Sequence, residues 1–172
     1  MKHFIIYLTI FVLLISAIGC RVQKSHEIEQ LDIEAIHKQN VQDSILATGW
    51  YYIIDEDNGF ERQLDKTDKF YFIDPKPIVV KEHFEKIKIY KINFRGQYED
   101  YIGLSIQINQ KYADLWADAT EKYIGKQLGL IIDNKLVNAP RVNSKIPNGM
   151  TALNRDVYNK NELENFKKQI EN

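Results

Sequence analysis

The stretch that decides the fold is residues 124–140, which read IGKQLGLIIDNKLVNAP. Its apolar run LGLII predicts a strand, because β-branched and leucine residues follow one another without a charge. Asp133 and Asn134 tolerate positive φ, and they predict a tight turn into a second strand. Pro140 cannot donate to a strand ladder and ends that second strand. The stretch therefore predicts an antiparallel hairpin, and Gly125 ahead of it suits the end of a preceding helix.

Working outward from the hairpin, the sequence predicts further strands and two helices. Aromatic, β-branched or alternating residues predict strands over residues 50–54, 69–73, 86–94 and 101–109. The second of these is expected to end at the Asp-Pro-Lys-Pro run of residues 74–77. Apolar side chains at helical spacing predict one apolar face on a helix before the hairpin, at Tyr112, Leu115, Trp116, Ala119 and Tyr123.

A last helix is predicted near the end of the sequence. Asn159 and Glu162 fit a capping box, and apolar residues follow at Leu163, Phe166 and Ile170. The order strands, helix, hairpin, helix shows no alternation of single strands with helices. It predicts an α+β fold with a mostly antiparallel sheet and two helices packed on one face.

Composition limits the classes of function. The chain has 172 residues, is 44% hydrophobic and 27% charged, and carries a net charge of −1. These values indicate a folded domain, and a near-neutral chain has no basic field for general nucleic-acid binding. A single cysteine excludes an internal disulfide and a Cys-rich metal cluster, and the sequence predicts neither a metal nor a cofactor.

The position of that cysteine indicates an anchor. Lys2 precedes an apolar run over residues 4–18, and the run ends at residues 17–20, AIGC, which is the layout of a secretory signal. This ending resembles the lipobox of bacterial lipoproteins, in which the cysteine is acylated and becomes the new N-terminus. The resemblance implies a lipid on Cys20 that holds the chain on a membrane. An uncleaved N-terminal helix with a chance cysteine is the alternative.

The sequence therefore predicts three segments. Residues 1–19 are a lipoprotein signal peptide, residues 20–48 are the lipidated cysteine with a polar tether that becomes a helix, and residues 49–172 are the folded domain. Plain disorder is the alternative for the tether. Arg21 follows the cysteine and no Asp stands there, which by the same resemblance favours the outer membrane, facing the periplasm, over the inner membrane.

Residues 70–170 resemble the head subdomain of the first periplasmic domain of SecD, a membrane protein that assists export. The resemblance is carried by the hairpin stretch and by a turn, a last helix and a Pro-led strand, at residues 124–140, 146–149, 159–170 and 77–79. Residues 150–153 replace the strand that is usual in the family, and SecD's transmembrane helices have no counterpart. The resemblance implies the fold and a polypeptide-contacting role, but no pumping.

The resulting hypothesis is a non-catalytic binding module that contacts polypeptides or an envelope protein partner. The sequence holds more aromatic residues than its core is expected to need. The candidate contact surface consists of Tyr51, Phe60, Tyr98, Tyr101 and Tyr158. The alternative is that they are core or scattered surface aromatics. The edge of the strand from Lys86 could also add a partner's strand.

Two other classes stay open, namely a hydrolase or other envelope enzyme with an unrecognised site, and a structural envelope spacer. No serine sits in a nucleophile elbow, and no glycine-rich phosphate loop opens a helix. His83 lies between Glu82 and Glu85 and is expected at the surface. Asp114 and Asp118 share one helix face, and they are expected to be solvated rather than catalytic. The sequence therefore predicts no catalytic residue.

Overall fold

The structure is a computed structural model that describes residues 45–55, 58–92 and 101–172. These residues form eight strands and two α-helices. The strands are β1 (Gly49–Ile54), β2 (Phe60–Gln63), β3 (Phe70–Val80), β4 (Phe84–Ile92), β5 (Tyr101–Ile108), β6 (Leu128–Ile132), β7 (Lys135–Asn138) and β8 (Met150–Leu153). The helices are α1 (Ala113–Lys122) and α2 (Lys160–Glu171). Neither of these helices has the length and apolar character needed to cross a bilayer.

Within the described ranges the strands form two antiparallel sheets. Five strands pair in the order β2-β3-β1-β6-β7, and three in the order β4-β5-β8. The predicted antiparallel pairing is thus confirmed, although the strands divide between two sheets. One buried cluster joins both sheets and both helices, with Trp50 from β1, Leu104 from β5, Trp116 from α1 and Leu163 from α2. The packing of both helices on one face of a sheet stays a prediction.

The five-stranded sheet carries a second, smaller core on its other face. Successive side chains of a strand point to opposite faces, so Trp50 enters the main cluster and Tyr51 the smaller one. Leu46 covers this smaller core and is 4% exposed. Thr48 Oγ1 accepts a hydrogen bond from Asp133 N at 3.1 Å. Residues 46–48, which the sequence assigned to the tether, therefore pack on the folded domain, whereas Ile45 is 84% exposed.

Strand β3 is longer than predicted. It does not end at residue 73 but continues through Pro75 and Pro77 to Val80. The short strand β2, which the sequence did not predict, pairs only with residues 70–73. Beyond them one edge of β3 has no strand partner among the described residues, so a proline without an N–H is tolerated there. On the other edge of β3, the pairing with β1 accommodates the two prolines by register shifts between Trp50 and Ile53.

The hairpin that decides the fold is confirmed. Asp133 and Asn134 have φ of 49° and 62°, as a two-residue turn with both central residues at positive φ requires. Gly125 has φ of 83°, but α1 ends at Lys122 with Tyr123 as its C-cap, so Gly125 turns the chain beyond the helix end, where its N–H donates to Val142 O at 2.8 Å. The capping box of Asn159 and Glu162 is formed at the start of α2.

Two local predictions differ from the structure. Residues Met150–Leu153, read from the sequence as a replacement of a strand, form β8 and pair with β5. Asn109 caps a 3-10 turn over Gln110–Tyr112, so α1 begins only at Ala113. The buried face of α1 is centred on Ala113, Trp116, Ala117 and Thr120, so Leu115 is 51% exposed, although the periodicity placed it on the apolar face.

Candidate functional site

The predicted contact aromatics do not form one surface. Tyr51 and Tyr158 are 1% and 4% exposed, so the structure corrects both from candidate contacts to core residues. Aromatic side chains carry enough apolar area to be drawn into a core, and their hydroxyls find partners there. The Tyr51 hydroxyl donates to Ala47 O at 2.8 Å. Tyr98 lies outside the described residues.

The two remaining candidates are half-buried and lie in different sheets. Phe60 belongs to β2 and packs against the smaller core. Tyr101 begins β5, and its hydroxyl donates to Asn154 O at 2.5 Å. Burial, followed by the neighbouring Tyr90 and Asp156, raises the pKa of Tyr101. Each of these side chains still offers an exposed part to a partner.

Tyr158 takes part in a partly buried polar network that joins distant segments. Arg155 Nη1 donates to the carbonyls of Asp65 and Val137 at 2.9 and 3.0 Å, and it lies 3.2 Å from the Tyr158 hydroxyl. That hydroxyl in turn donates to Asp65 Oδ2 at 3.0 Å. Burial, and next the charge of Asp65, raise the pKa of Tyr158. The network ties the turn after β2 to β7 and to the segment that follows β8.

A cavity of about 510 Å³ lies between α1, β8 and the segment after β7. The aromatic side chains in its wall are Trp50 and Trp116, whose ring centroids are 5.2 Å apart. Arg141 is the one ionisable side chain among its lining residues in the described ranges. The sequence gave no sign of this cavity, because its wall comes from four separate segments.

The described residues bring no evident catalytic group together. A polar hollow of about 550 Å³ holds Asp65 and Lys66, but Asp65 is bonded to Tyr158 and Lys66 to Glu162. Asp114 and Asp118 are exposed. His83 stacks on Tyr112, with 3.8 Å between the ring centroids. No group of three or more potential metal ligands occurs within the described ranges.

Stability in alkali is expected to depend on Tyr51 and Tyr158, two of the buried tyrosines. Burial raises the pKa of Tyr51 to about 12, and that of Tyr158 is also raised. The folded state therefore holds these protons above pH 10 while the unfolded state releases them, so the unfolding free energy falls as pH rises. The expected slope is about 1.4 kcal/mol per pH unit for each tyrosine. Urea unfolding between pH 8 and 12 measures it, and an unchanged slope in Tyr51→Phe would contradict the assignment.

Comparison with known proteins shows which family and which relatives the chain is similar to. The family model described as SecDF, P1 head subdomain, matches residues 58–160, which is more than half of the chain. The protein translocase subunit SecD of Leptotrichia buccalis is 39% identical over 57 residues, covering 31% of this chain and 14% of that protein. The SecD subunit of Mycobacterium tuberculosis is 34% identical over 50 residues, covering 29% and 9%.

A solved structure shares the fold. It is titled as that of a membrane component, SecDF, that enhances protein export, and it superimposes with a TM-score of 0.51 at 14% sequence identity. The match covers 82% of this chain and 66% of that chain. The chain thus spans a small part of the SecD proteins that it matches in sequence, and about two thirds of the solved chain.

Proposed function

Because the chain belongs to the SecDF P1 head subdomain family, we propose that its folded domain is a non-catalytic module that contacts polypeptides or an envelope protein partner. The observation that carries the proposal is the family match over residues 58–160, from the segment before β2 to the start of α2. The SecD relatives are named as translocase subunits, which supports a contact with polypeptides in transit or with the export machinery.

The proposal includes a lipid anchor on Cys20. Residues 1–19 would be removed as a signal peptide, residues 20–48 would tether the domain, and the lipid would hold it at the outer membrane, facing the periplasm. The lipobox-like sequence at residues 17–20 supports this part of the proposal. Cys20 and most of the tether lie outside the described residues.

The proposed contact surfaces are the exposed parts of Phe60 and Tyr101, residue Tyr98, and the edge of β4. Strand β4 is an edge strand of the three-stranded sheet within the described residues. Its exposed lysines Lys86 and Lys88 discourage self-association while leaving main-chain groups for a partner's strand. An enzyme with an unrecognised site and an envelope spacer remain the alternatives to this proposal.

In-cell photocrosslinking tests the proposal. A photoreactive amino acid is placed at Tyr98 or at Lys88, and at Lys168 as a matched control, since Lys168 is an exposed lysine on α2. We expect Tyr98 and Lys88 to give adducts with exported chains, seen as a smear on a gel and identified by mass spectrometry, and Lys168 to give few. A single discrete adduct would instead identify a dedicated envelope partner.

Absence of adducts from both Tyr98 and Lys88 would contradict the proposed binding surfaces. That outcome would favour an envelope spacer or an enzyme with an unrecognised site. Equal labelling from Lys168 would show that the adducts reflect proximity to passing chains and not a contact surface.

A further inference from the structure

The three-stranded sheet turns one face into the core and the other outward. The inward residues of β5 are Leu104, Ile106 and Ile108, which are fully buried in the main cluster. Successive residues of a strand point to opposite faces, and residues directly opposite each other on paired strands share a face. The outward face therefore consists of alternate residues of β4 from position 86 to 92 and of β5 from position 101 to 107, together with Met150 and Ala152 of β8.

This outward face is partly apolar. The ring of Tyr90 lies across Gly103, where a β-carbon would collide with it. Tyr101 lies beside Tyr90, with 6.5 Å between the ring centroids. At the two ends of the face, Ile92 and Met150 are 41% and 45% exposed. The sheet thus holds two tyrosine rings and two exposed apolar side chains on one side, and such a grouping indicates a contact surface.

The charges on this face have one sign. Lys86 and Lys88 are exposed, and their partners across the ladder with β5 are uncharged. No aspartate or glutamate occurs among the outward residues that the register of the described strands assigns to this face. Glu85 lies in the bulge before Lys86 and Asp156 follows β8, so neither belongs to the paired residues. Lysines beside tyrosine rings and apolar side chains suit the headgroup region of a bilayer.

We propose that this outward face docks on an anionic membrane surface. Lys86 and Lys88 contact the phosphate groups of the lipids, and the tyrosine rings lie among the headgroups. Ile92 and Met150 reach the boundary of the acyl chains. The presence of a membrane beside the domain rests on the lipid anchor proposed for Cys20, whereas the choice of face rests on the charges and exposed side chains of the sheet.

An anchored domain needs only a weak attraction to dock. Residues 21–44 separate Cys20 from the described domain, and even a fully extended chain of that length spans at most about 85 Å. The bilayer is therefore present at a high effective concentration, so two lysines and a few apolar side chains suffice. The main-chain groups at the edge of β4 point along the plane of the sheet, so docking through the face leaves that edge open to a partner's strand.

A fluorescent label on the face tests the docking. Ser105 lies on the central strand between Lys88 and Ala152, so Ser105→Cys places an environment-sensitive dye in the middle of the face. The unsubstituted chain, whose one cysteine is Cys20, shows how much dye reaches that residue. The full chain is reconstituted in vesicles of equal parts phosphatidylcholine and phosphatidylglycerol. Either an acylated cysteine or the uncleaved apolar run holds its N-terminal end in the bilayer, so the test does not depend on the form of the anchor.

We expect the emission of the dye at residue 105 to shift to the blue, and lipids that carry a nitroxide on the headgroup to quench it. The same dye at Lys168→Cys is the matched control and should stay in water, because Lys168 is exposed on α2, which contributes Leu163 to the core on the inward side of β5. Ile92→Cys provides a second label position, since that side chain is already 41% exposed and its replacement spares the core.

The two lysines give the second readout. In the chain labelled at residue 105, Lys86→Gln with Lys88→Gln is expected to weaken docking on the anionic vesicles about thirtyfold, the factor that two lysines contribute near such a surface. Vesicles of phosphatidylcholine alone should weaken the docking of the unsubstituted chain to a similar degree. Lys160→Gln with Lys168→Gln removes two exposed lysines of α2 and should leave docking unchanged within about twofold.

The outcomes separate this inference from the function proposed above. An unshifted emission at both residues 105 and 92, or equal shifts at residues 105 and 168, would overturn the docking. Docking that survives the loss of both Lys86 and Lys88 would overturn it as well. Adducts of Lys88 with exported chains in cells, without lipid contact in vesicles, would overturn the membrane surface and leave the binding module standing. Lipid contact without any adducts in cells would support the docking and contradict the binding module.

Discussion

Replacing Trp116 with alanine is expected to lower the unfolding free energy by about 3–5 kcal/mol, out of the 5–15 kcal/mol typical of a domain. Trp116 is 2% exposed and lies where α1 meets Trp50 and the edge of β8. The change removes a large apolar contact, leaves a void beside Trp50, and exposes Met150 O without its donor. Urea denaturation of the full chain, followed by far-ultraviolet circular dichroism, measures the loss.

The neighbouring residue provides the matched control. Leu115 precedes Trp116 on the same helix but is 51% exposed, so Leu115→Ala is expected to cost less than about 1 kcal/mol. Equal losses in the two variants would mean that α1 does not present Trp116 to the core. The Trp116→Phe variant, which keeps most of the ring contact, should lie between them.

The hairpin could be predicted from the sequence because its signals are local. Asp133 and Asn134 provide the positive φ of the turn, and Pro140 marks the end within a few residues. The capping box at Asn159 is equally local. These features need no knowledge of distant segments, since each depends on the conformational preferences of a residue and its near neighbours.

Strand β3 could not be predicted in full, because its length depends on its neighbours. The prolines at 75 and 77 predict that the strand ends there. The partner β2, however, pairs only with residues 70–73, so on that edge the prolines interrupt no hydrogen bonds between strands. The exposure of Leu115 likewise depends on the rest of the fold. The segments packed against α1 bury Ala113, Trp116, Ala117 and Thr120 and leave Leu115 51% exposed.

The candidate site was the least predictable part of the protein. Tyr51 and Phe60 are both aromatic residues that the sequence offered as contact candidates, yet Tyr51 is buried and Phe60 is half-buried. Whether an aromatic residue forms core or surface depends on which strand face it occupies and on what covers that face. The cavity beside Trp50 and Trp116 depends on segments that are far apart in the chain, so no short motif could indicate it.

Replacing Arg155 with methionine is the second large expected effect, a loss of about 3 kcal/mol. Its Nη1 supplies hydrogen bonds to the carbonyls of Asp65 and Val137 and a contact to the Tyr158 hydroxyl. Methionine retains the apolar stem but leaves these acceptors with too few donors. The Tyr158 hydroxyl also lies 3.2 Å from Val137 O, but its proton goes to Asp65 Oδ2, so it does not make up for the donor that Arg155 supplies.

An exposed lysine at the start of α2, close to Arg155 in the sequence, gives the control. Lys160 lies 3.6 Å from Glu164 in a surface ion pair, so Lys160→Met should cost less than about 1 kcal/mol. Urea denaturation at neutral pH compares the two variants. If Arg155→Met cost no more than Lys160→Met, the partly buried network would not hold the turn after β2 against β7.

A double-mutant cycle then separates the network from the packing of its members. Tyr158→Phe removes the hydroxyl that donates to Asp65 Oδ2 while keeping the ring, which packs edge-on against Phe166 with 5.0 Å between centroids. Arg155 and Tyr158 share Asp65, so the double variant should lose about 0.5–3 kcal/mol less than the sum of the single losses. Strict additivity would mean that the two side chains act independently, and the segment after β8 would then be held by apolar packing alone.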